Sequence, residues 1–181
     1  MGTVKEIIAY TDGSAVTTGV NKGRGGFGTY FPNLNGKRAG KYMGFEETKT
    51  GRMEISALLY AILSIETDDP VKLQVYSDSQ YVVKTFTEKR LQKWKSNNWF
   101  SNGLKVKNID LWEAIDDQLT IKTNLKLEMI WIKGHQIEKE KDPKVKVQLR
   151  LNPHIVGNMM ADKLANRWRD NIGQLYKTDK L

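Results

Sequence analysis

The chain has 181 residues, 39% hydrophobic and 28% charged, with a net charge of +8 and an isoelectric point near 9.5. That balance fits a water-soluble globular domain and argues against disorder, and no apolar run reaches the roughly 18 residues a bilayer span requires. There is no cysteine, which excludes disulfides and thiolate metal sites; Met1 to Glu6 also lack the basic-then-apolar layout of a leader, so the expectation is a cytoplasmic protein without membrane association.

In chain order, Ile7–Thr11 reads as a short buried strand that delivers Asp12 at its end. A glycine-rich turn follows, and Phe27–Phe31 and Lys37–Gly44 read as strands joined by a turn over Pro32–Gly36. From Met53 the apolar residues recur at the three-to-four spacing of an amphipathic helix, with Glu54 in its first turn and Asp68-Asp69-Pro70 as its stop. Val71–Tyr76 alternates apolar and polar, a strand that again delivers an acid, Asp78, and Ser79–Phe86 reads as a short helix. From Lys84 to Lys107 seven basic residues stand against Glu88 alone, a local net charge of +6 that favours a polyanionic partner. Asp110 then caps a helix to about Ile121, and Leu125–Ile132 forms a last strand. Residues 136–153 read as a long polar loop, in which the alternation of Val145, Val147, Leu149 and Leu151 suggests a hairpin strand or an extended mobile flap. A final helix from Asn158 to about Ile172 places Asp162 in its first turn. The order βββαβααβα, with no repeat or linker, gives one α/β domain over residues 1–181, built on a mixed sheet with helices on its faces.

Four acids hold special places in this reading: Asp12 and Asp78 at strand ends, Glu54 and Asp162 near helix starts. Should the first and fourth strands be neighbours, Asp12 and Asp78 meet at one sheet edge, where α/β sheets bind ligands. A cluster of carboxylates suits hard divalent cations, which can stabilise the attacking and leaving oxygens of a phosphodiester. Singly, each acid also fits an ordinary role, as a turn residue, a helix-start acid, a cap or a solvated side chain.

Five stretches occur in order: Tyr10-Thr11-Asp12-Gly13-Ser14, Arg52-Met53-Glu54, Tyr76-Ser77-Asp78-Ser79-Gln80-Tyr81-Val82, Trp131-Ile132-Lys133-Gly134-His135 and Asn158-Met159-Met160-Ala161-Asp162. Together they resemble the type 1 ribonuclease H family over roughly residues 7–135 and 156–170. The resemblance implies a ribonuclease H-like mixed five-stranded sheet, with three antiparallel strands, then α-connected parallel strands, and helices on both faces. It further implies a metal-dependent endonuclease that cuts the RNA strand of an RNA/DNA hybrid and leaves 5′-phosphate and 3′-hydroxyl ends. Asp12, Glu54, Asp78 and Asp162 would hold two Mg²⁺ ions, with Mn²⁺ as a substitute, and His135 would assist proton transfer or product release.

Substrate contacts implied by the resemblance fall on Gly13, Ser14, Asn21, Ser79, Gln80 and Asn158, with the minor groove and its 2′-hydroxyls as the mark of RNA. The basic segment, about residues 84–109, resembles the protrusion by which family members hold the DNA strand, with Lys89, Lys93, Trp94, Lys95 and Trp99 as its candidate contacts. Two departures from the family pattern stand out. Lys49-Thr50-Gly51-Arg52 replaces the usual amide-bearing run, leaving Thr50 and Arg52 as candidate contacts, and residues 136–153 form an insertion. His154, nearer Asp162 in sequence, rivals His135 as the mobile histidine. A non-catalytic hybrid-binding domain and another nuclease or integrase of the same fold are the alternatives; the four acids weigh against the first, and the basic protrusion with Ser77-Asp78-Ser79-Gln80-Tyr81 against the second. No protein partner is inferable.

Overall fold

A computed structural model describes residues 4–180; residues 1–3, on which the expectation about a leader partly rests, lie outside the described residues. Strands β1 (Lys5–Ala15), β2 (Gly25–Leu34) and β3 (Lys37–Phe45) form the expected antiparallel meander. The β2–β3 hairpin turns at Asn35-Gly36, both with positive φ as a two-residue hairpin turn demands. β2 runs three residues further than its apolar pattern suggests, and its register slips between Phe31 and Leu34, where Pro32 has no N–H for a ladder.

Helix α1 (Thr50–Leu63) leads to β4 (Val71–Ser77), and α2 (Gln80–Thr87), α3 (Arg90–Ser96), the small β5–β6 hairpin (Phe100–Ser101, Leu104–Lys105) and α4 (Ile109–Ile121) lead to β7 (Leu125–Trp131). The main sheet has the order β3-β2-β1-β4-β7, antiparallel within the meander and parallel from β1 through β4 to β7. This is the mixed five-stranded sheet anticipated from the sequence.

The strand period of two splits β1 between two helical layers. Thr29 on the neighbouring strand donates to the Ala57 carbonyl of α1 at 2.9 Å, so α1 lies against one face. On the other face lies α7 (Pro153–Asn166), followed by a 3-10 segment, Arg167–Gln174. Its approach depends on missing side chains: a Cβ on Gly28 would stand 2.3 Å from the Ala161 carbonyl, and one on Gly157 would stand 2.3 Å from the Tyr10 ring. No helix among the described residues is long and apolar enough to cross a membrane.

Residues 136–153 differ from their expected form. Instead of a loop or an extended flap they hold α5 (Gln136–Lys139) and α6 (Pro143–Leu151), and α7 begins five residues before Asn158. Two Asx-Pro starts explain this. Asp142 Oδ1 accepts from Lys144 N at 2.8 Å, and Asn152 Oδ1 accepts from His154 N at 2.9 Å, each capping a helix whose first residue is proline. The alternation at 145–151 is therefore not a strand face; Val145, Val147 and Leu151 remain exposed on α6. Asp162 consequently lies in the third turn of its helix rather than the first.

Gly28 and Gly51 make opposite predictions. Gly28→Ala forces backbone apart between sheet and α7 and should cost about 1–3 kcal/mol, as overpacked cores do. Gly51, in the first turn of α1, meets nothing within 4 Å, so Gly51→Ala should gain about 0.4–1 kcal/mol through the unfolded chain. Thermal melting checks both, at about 2–4 °C per kcal/mol for a chain of this size; equal shifts would contradict the packing described.

Candidate active site

β1 and β4 pair in parallel up to Thr11 and Ser77, so Asp12 and Asp78 follow at the same height on adjacent segments. β1 does not end there. It continues to Ala15 against β2, and Asp12 lies within the strand, opposite Gly28; what stops at Asp12 is the parallel pairing. Glu54 arrives from α1, in its second turn because the helix starts at Thr50. A Cβ on Gly13 would lie 2.2 Å from the Glu54 nitrogen, so only glycine lets the helix come this close to the strand. One oxygen from each of Asp12, Glu54 and Asp78 lies within 4.8 Å of the others.

The opposite layer adds a polar stripe. Asn158, Asp162 and Asn166 recur every fourth residue of α7 and so share one side of it. Asn158, buried, lies beside the Asp78 carboxylate and favours its charged form. The Asp162 carboxyl stands near enough to Asp12 to raise its proton affinity but falls outside the tight group of three. Asn166 Nδ2 donates to Asp162 Oδ1 at 2.9 Å. Asn166 is absent from the residues the sequence singles out, although its four-residue spacing from Asp162 was a readable sign.

Asp12 and Glu54 are only 6% and 8% exposed, and none of the three clustered acids is ion-paired to Lys or Arg among the described residues. Burial pushes the Asp12 carboxyl well above its ordinary range, repulsion from Asp78 and Asp162 pushes it further, and the Gly13 N–H at 2.8 Å opposes them. Glu54 is likewise raised by burial, then by Asp12 and Asp78. Asp78 is raised by burial, while the neighbouring His135 draws it back. Glu54 Oε2 is buried with no hydrogen-bond partner among the described residues. Oxygen donors alone, crowded, desolvated and short of partners, fit hard divalent cations.

The two histidines part company. A Cβ on Gly134 would lie 2.0 Å from Asp78 Oδ2, so the turn bearing His135 hugs the acid cluster. His135 itself is exposed, at φ 54°, and lines a small cleft with Asn158 and Asp162. His154 is held between two tyrosines: Nδ1 lies 3.0 Å from the Tyr10 hydroxyl and Nε2 3.5 Å from that of Tyr76, on whose ring it stacks at 4.3 Å. Eight residues before Asp162, it docks the start of α7 on the sheet. The structure thus favours His135 over its rival as the histidine beside the acids.

Several expected substrate contacts have other work. Trp94 is 7% exposed and packs 5.8 Å from Trp112, so it is a core residue and cannot serve as a stacking platform on the protrusion; Trp99 is half-buried against the same core. Phe100, 44% exposed at the β5–β6 hairpin, is the aromatic that the protrusion presents, a position the sequence list omits. Arg52 grips Asp110 through two hydrogen bonds, at 2.9 and 2.7 Å, and also pairs with Asp179; it is a fastener of α1, correcting its expected substrate role. Asn21 Oδ1 accepts from Arg24 within its turn at 2.8 Å. Ser14 donates to Asn166, and Lys95 to Asp116 at 2.5 Å. Thr50, Gln80, Lys89 and Lys93 are exposed, and Ser79 is half-buried at the start of α2.

A ribonuclease H family model matches residues 4–169. The ribonuclease H of Actinobacillus pleuropneumoniae is 35% identical over 140 residues, 77% of this chain and 85% of that protein. Ribonuclease HI of Pseudomonas aeruginosa is 32% identical over 164 residues, 90% and 93% of the two chains. Among solved structures, a foamy viral protease-reverse transcriptase in complex with an RNA/DNA hybrid is similar in fold, with a TM-score of 0.65 at 23% identity over 89% of this chain and 19% of that much longer one. By its fold, its acid cluster and these relatives, the chain belongs to the ribonuclease H family and is a type 1 ribonuclease H enzyme.

Proposed function

We propose that the enzyme hydrolyses the RNA strand of RNA/DNA hybrids at internal positions by a two-metal mechanism, leaving 5′-phosphate and 3′-hydroxyl ends. The observation that carries this reading is the buried group of Asp12, Glu54 and Asp78, unpaired with any Lys or Arg among the described residues, with Asp162 beside it. These four residues would hold two Mg²⁺ ions, or Mn²⁺ in their place. When bound, the ions supply Lewis-acid stabilisation of charge on the attacking and leaving oxygens at phosphorus.

The chain's own residues supply the rest. Asn158 lies beside the Asp78 carboxylate and favours its charge, and the Gly13 N–H holds Asp12. His135, exposed at the lip of the cluster, would carry a proton to or from an oxygen of the substrate or assist release of the product. Ser79 and Gln80, beside Asp78 at the start of α2, are the candidate readers of 2′-hydroxyls that separate RNA from DNA. Lys89 and Lys93, exposed around the start of α3, are the candidate phosphate contacts, and Phe100 a candidate surface for a sugar or base. Labelled RNA/DNA, RNA/RNA and DNA/DNA duplexes incubated with Mg²⁺, Mn²⁺ or EDTA test the reading. RNA in the hybrid should be cut in either metal and spared in EDTA; cleavage of all three duplexes, or undiminished cleavage in EDTA, overturns it.

Asp12→Asn or Asp78→Asn should lower single-turnover hybrid cleavage by several orders of magnitude without unfolding the protein, because each removes a charge that the reaction uses and the core does not. Near wild-type turnover in either variant removes that residue from the machinery.

The same carboxylates make a stability prediction for the metal-free protein. Their folded pKa values are raised, so they favour folding while protonated, and this contribution is lost as pH rises through those raised values. At neutral pH, Asp12→Asn should therefore melt above wild type, by about 2–4 °C for each kcal/mol of repulsion removed. The gain should shrink toward pH 4; a lower melting point at neutral pH contradicts the repulsion.

Replacing Lys89 and Lys93 with Ala should weaken hybrid binding and flatten its dependence on log salt by up to about 0.9 per lost phosphate contact. An unchanged slope in a salt titration assigns these lysines to solvation alone.

A further inference from the structure

Asn166 plays no part in the chemistry outlined above, yet its side chain is fully engaged at the edge of the site. Its Nδ2 donates to Asp162 Oδ1 at 2.9 Å and to the Asp162 carbonyl at 3.0 Å. Its Oδ1 accepts from Ser14 Oγ at 2.8 Å and from Arg169 Nε at 3.3 Å. Ser14 lies on β1 two residues beyond Asp12, so a chain of side chains, Ser14 to Asn166 to Asp162, joins the strand that carries one acid to the helix that carries another.

The physical problem this solves is specific to Asp162. Asp12 and Glu54 are buried, and Asp78 is flanked by Asn158 and by the close approach of Gly134. Asp162 is half-buried, stands outside the tight group of three, and is repelled by Asp12 and Asp78. Left to rotate, its carboxylate would turn toward water. An amide that commits one oxygen leaves the other free and its direction set, which is how groups behind a ligand tune metal affinity.

We propose that Asn166, oriented by Ser14, is a positioning residue that holds the Asp162 carboxylate toward Asp12 and so sets the affinity of the cation site that Asp162 completes. This rests on the reading that Asp162 holds a divalent ion. A role confined to helix structure would show in melting alone, since the bond to the Asp162 carbonyl only back-bonds the last turn of α7.

Calorimetric titration of Mn²⁺ into wild type, Asp162→Asn, Asn166→Ala and Ser14→Ala, with no nucleic acid present, separates these cases. Melting of each metal-free variant accompanies the titrations. Asp162→Asn should weaken binding most. Asn166→Ala should weaken it by about 10–100-fold, the usual effect of losing such a support, and Ser14→Ala should do so in the same direction by less. Wild-type affinity in both Asn166→Ala and Ser14→Ala, beside a weakened Asp162→Asn, overturns the positioning role. Wild-type affinity in Asp162→Asn overturns the ligand assignment beneath it. Should Asn166→Ala fail to fold, Ser14→Ala decides: a weakened Mn²⁺ affinity supports the relay and an unchanged one overturns it.

Discussion

Repulsion among carboxylates is the constraint around which this molecule is arranged. Asp12, Glu54 and Asp78 are gathered from two strand segments and a helix into a volume where burial raises the proton affinity of each, and repulsion adds to it, from Asp78 and Asp162 on Asp12, from Asp12 and Asp78 on Glu54, and from Asp162 on Asp78. A fold that spends stability in this way must recover it elsewhere. Here the recovery comes from the two helical layers clamped on the central strand and from an aromatic core at the base of the protrusion, where Trp112 is fully buried, packs against Tyr81 and Trp94, and donates its Nε1–H to the Tyr81 hydroxyl at 3.1 Å.

The close approach of those layers is achieved by omission. Gly13 admits the α1 backbone that brings Glu54, Gly28 and Gly157 admit α7, and Gly134 admits the turn that carries His135. Three of the four lie within a few residues of a group assigned to the site, and Gly28 pairs directly with Asp12. Placing an acid cluster between two helices and a sheet is thus a matter of distances that any Cβ would spoil. The basic protrusion is built on the same economy of contacts. Its inner side belongs to the core through Leu91 and Trp94, and its outer side is left to lysines and Phe100.

Much of this was legible in the sequence. The apolar run of β1, the alternation of β4 and the period of α1 need only local pattern, and the motif contexts joined the four acids into one family, although Asp12 lies within its strand and Glu54 and Asp162 lie further along their helices than local pattern suggests. What escaped depended on partners far along the chain. Trp94 looks like a stacking residue among lysines until Tyr81 and Trp112 are seen around it, and Arg52 looks like a substrate contact until Asp110 and Asp179 close on it. The form of residues 136–153 was misjudged for a different reason. Val145, Val147, Leu149 and Leu151 alternate by two, which is a strand signal only where one face is buried, and α6 buries none of its side chains. The better signals were the Asp142-Pro143 and Asn152-Pro153 pairs, whose chemistry starts helices whatever the apolar pattern says.

The Arg52–Asp179 contact has a consequence for how the chain reaches this structure. The guanidinium at the start of the Glu54 helix donates to the Asp179 carbonyl across 127 positions, and Tyr176 pairs with Phe45 on the edge strand on the way there. Closing a loop of that length has an entropic cost that local helix formation does not repay. The α1 helix can form early, yet its first turn acquires its full set of partners only when residue 179 has left the ribosome. In a nascent chain the start of the helix that carries Glu54 is therefore completed only after the five-stranded sheet and α7 have been made.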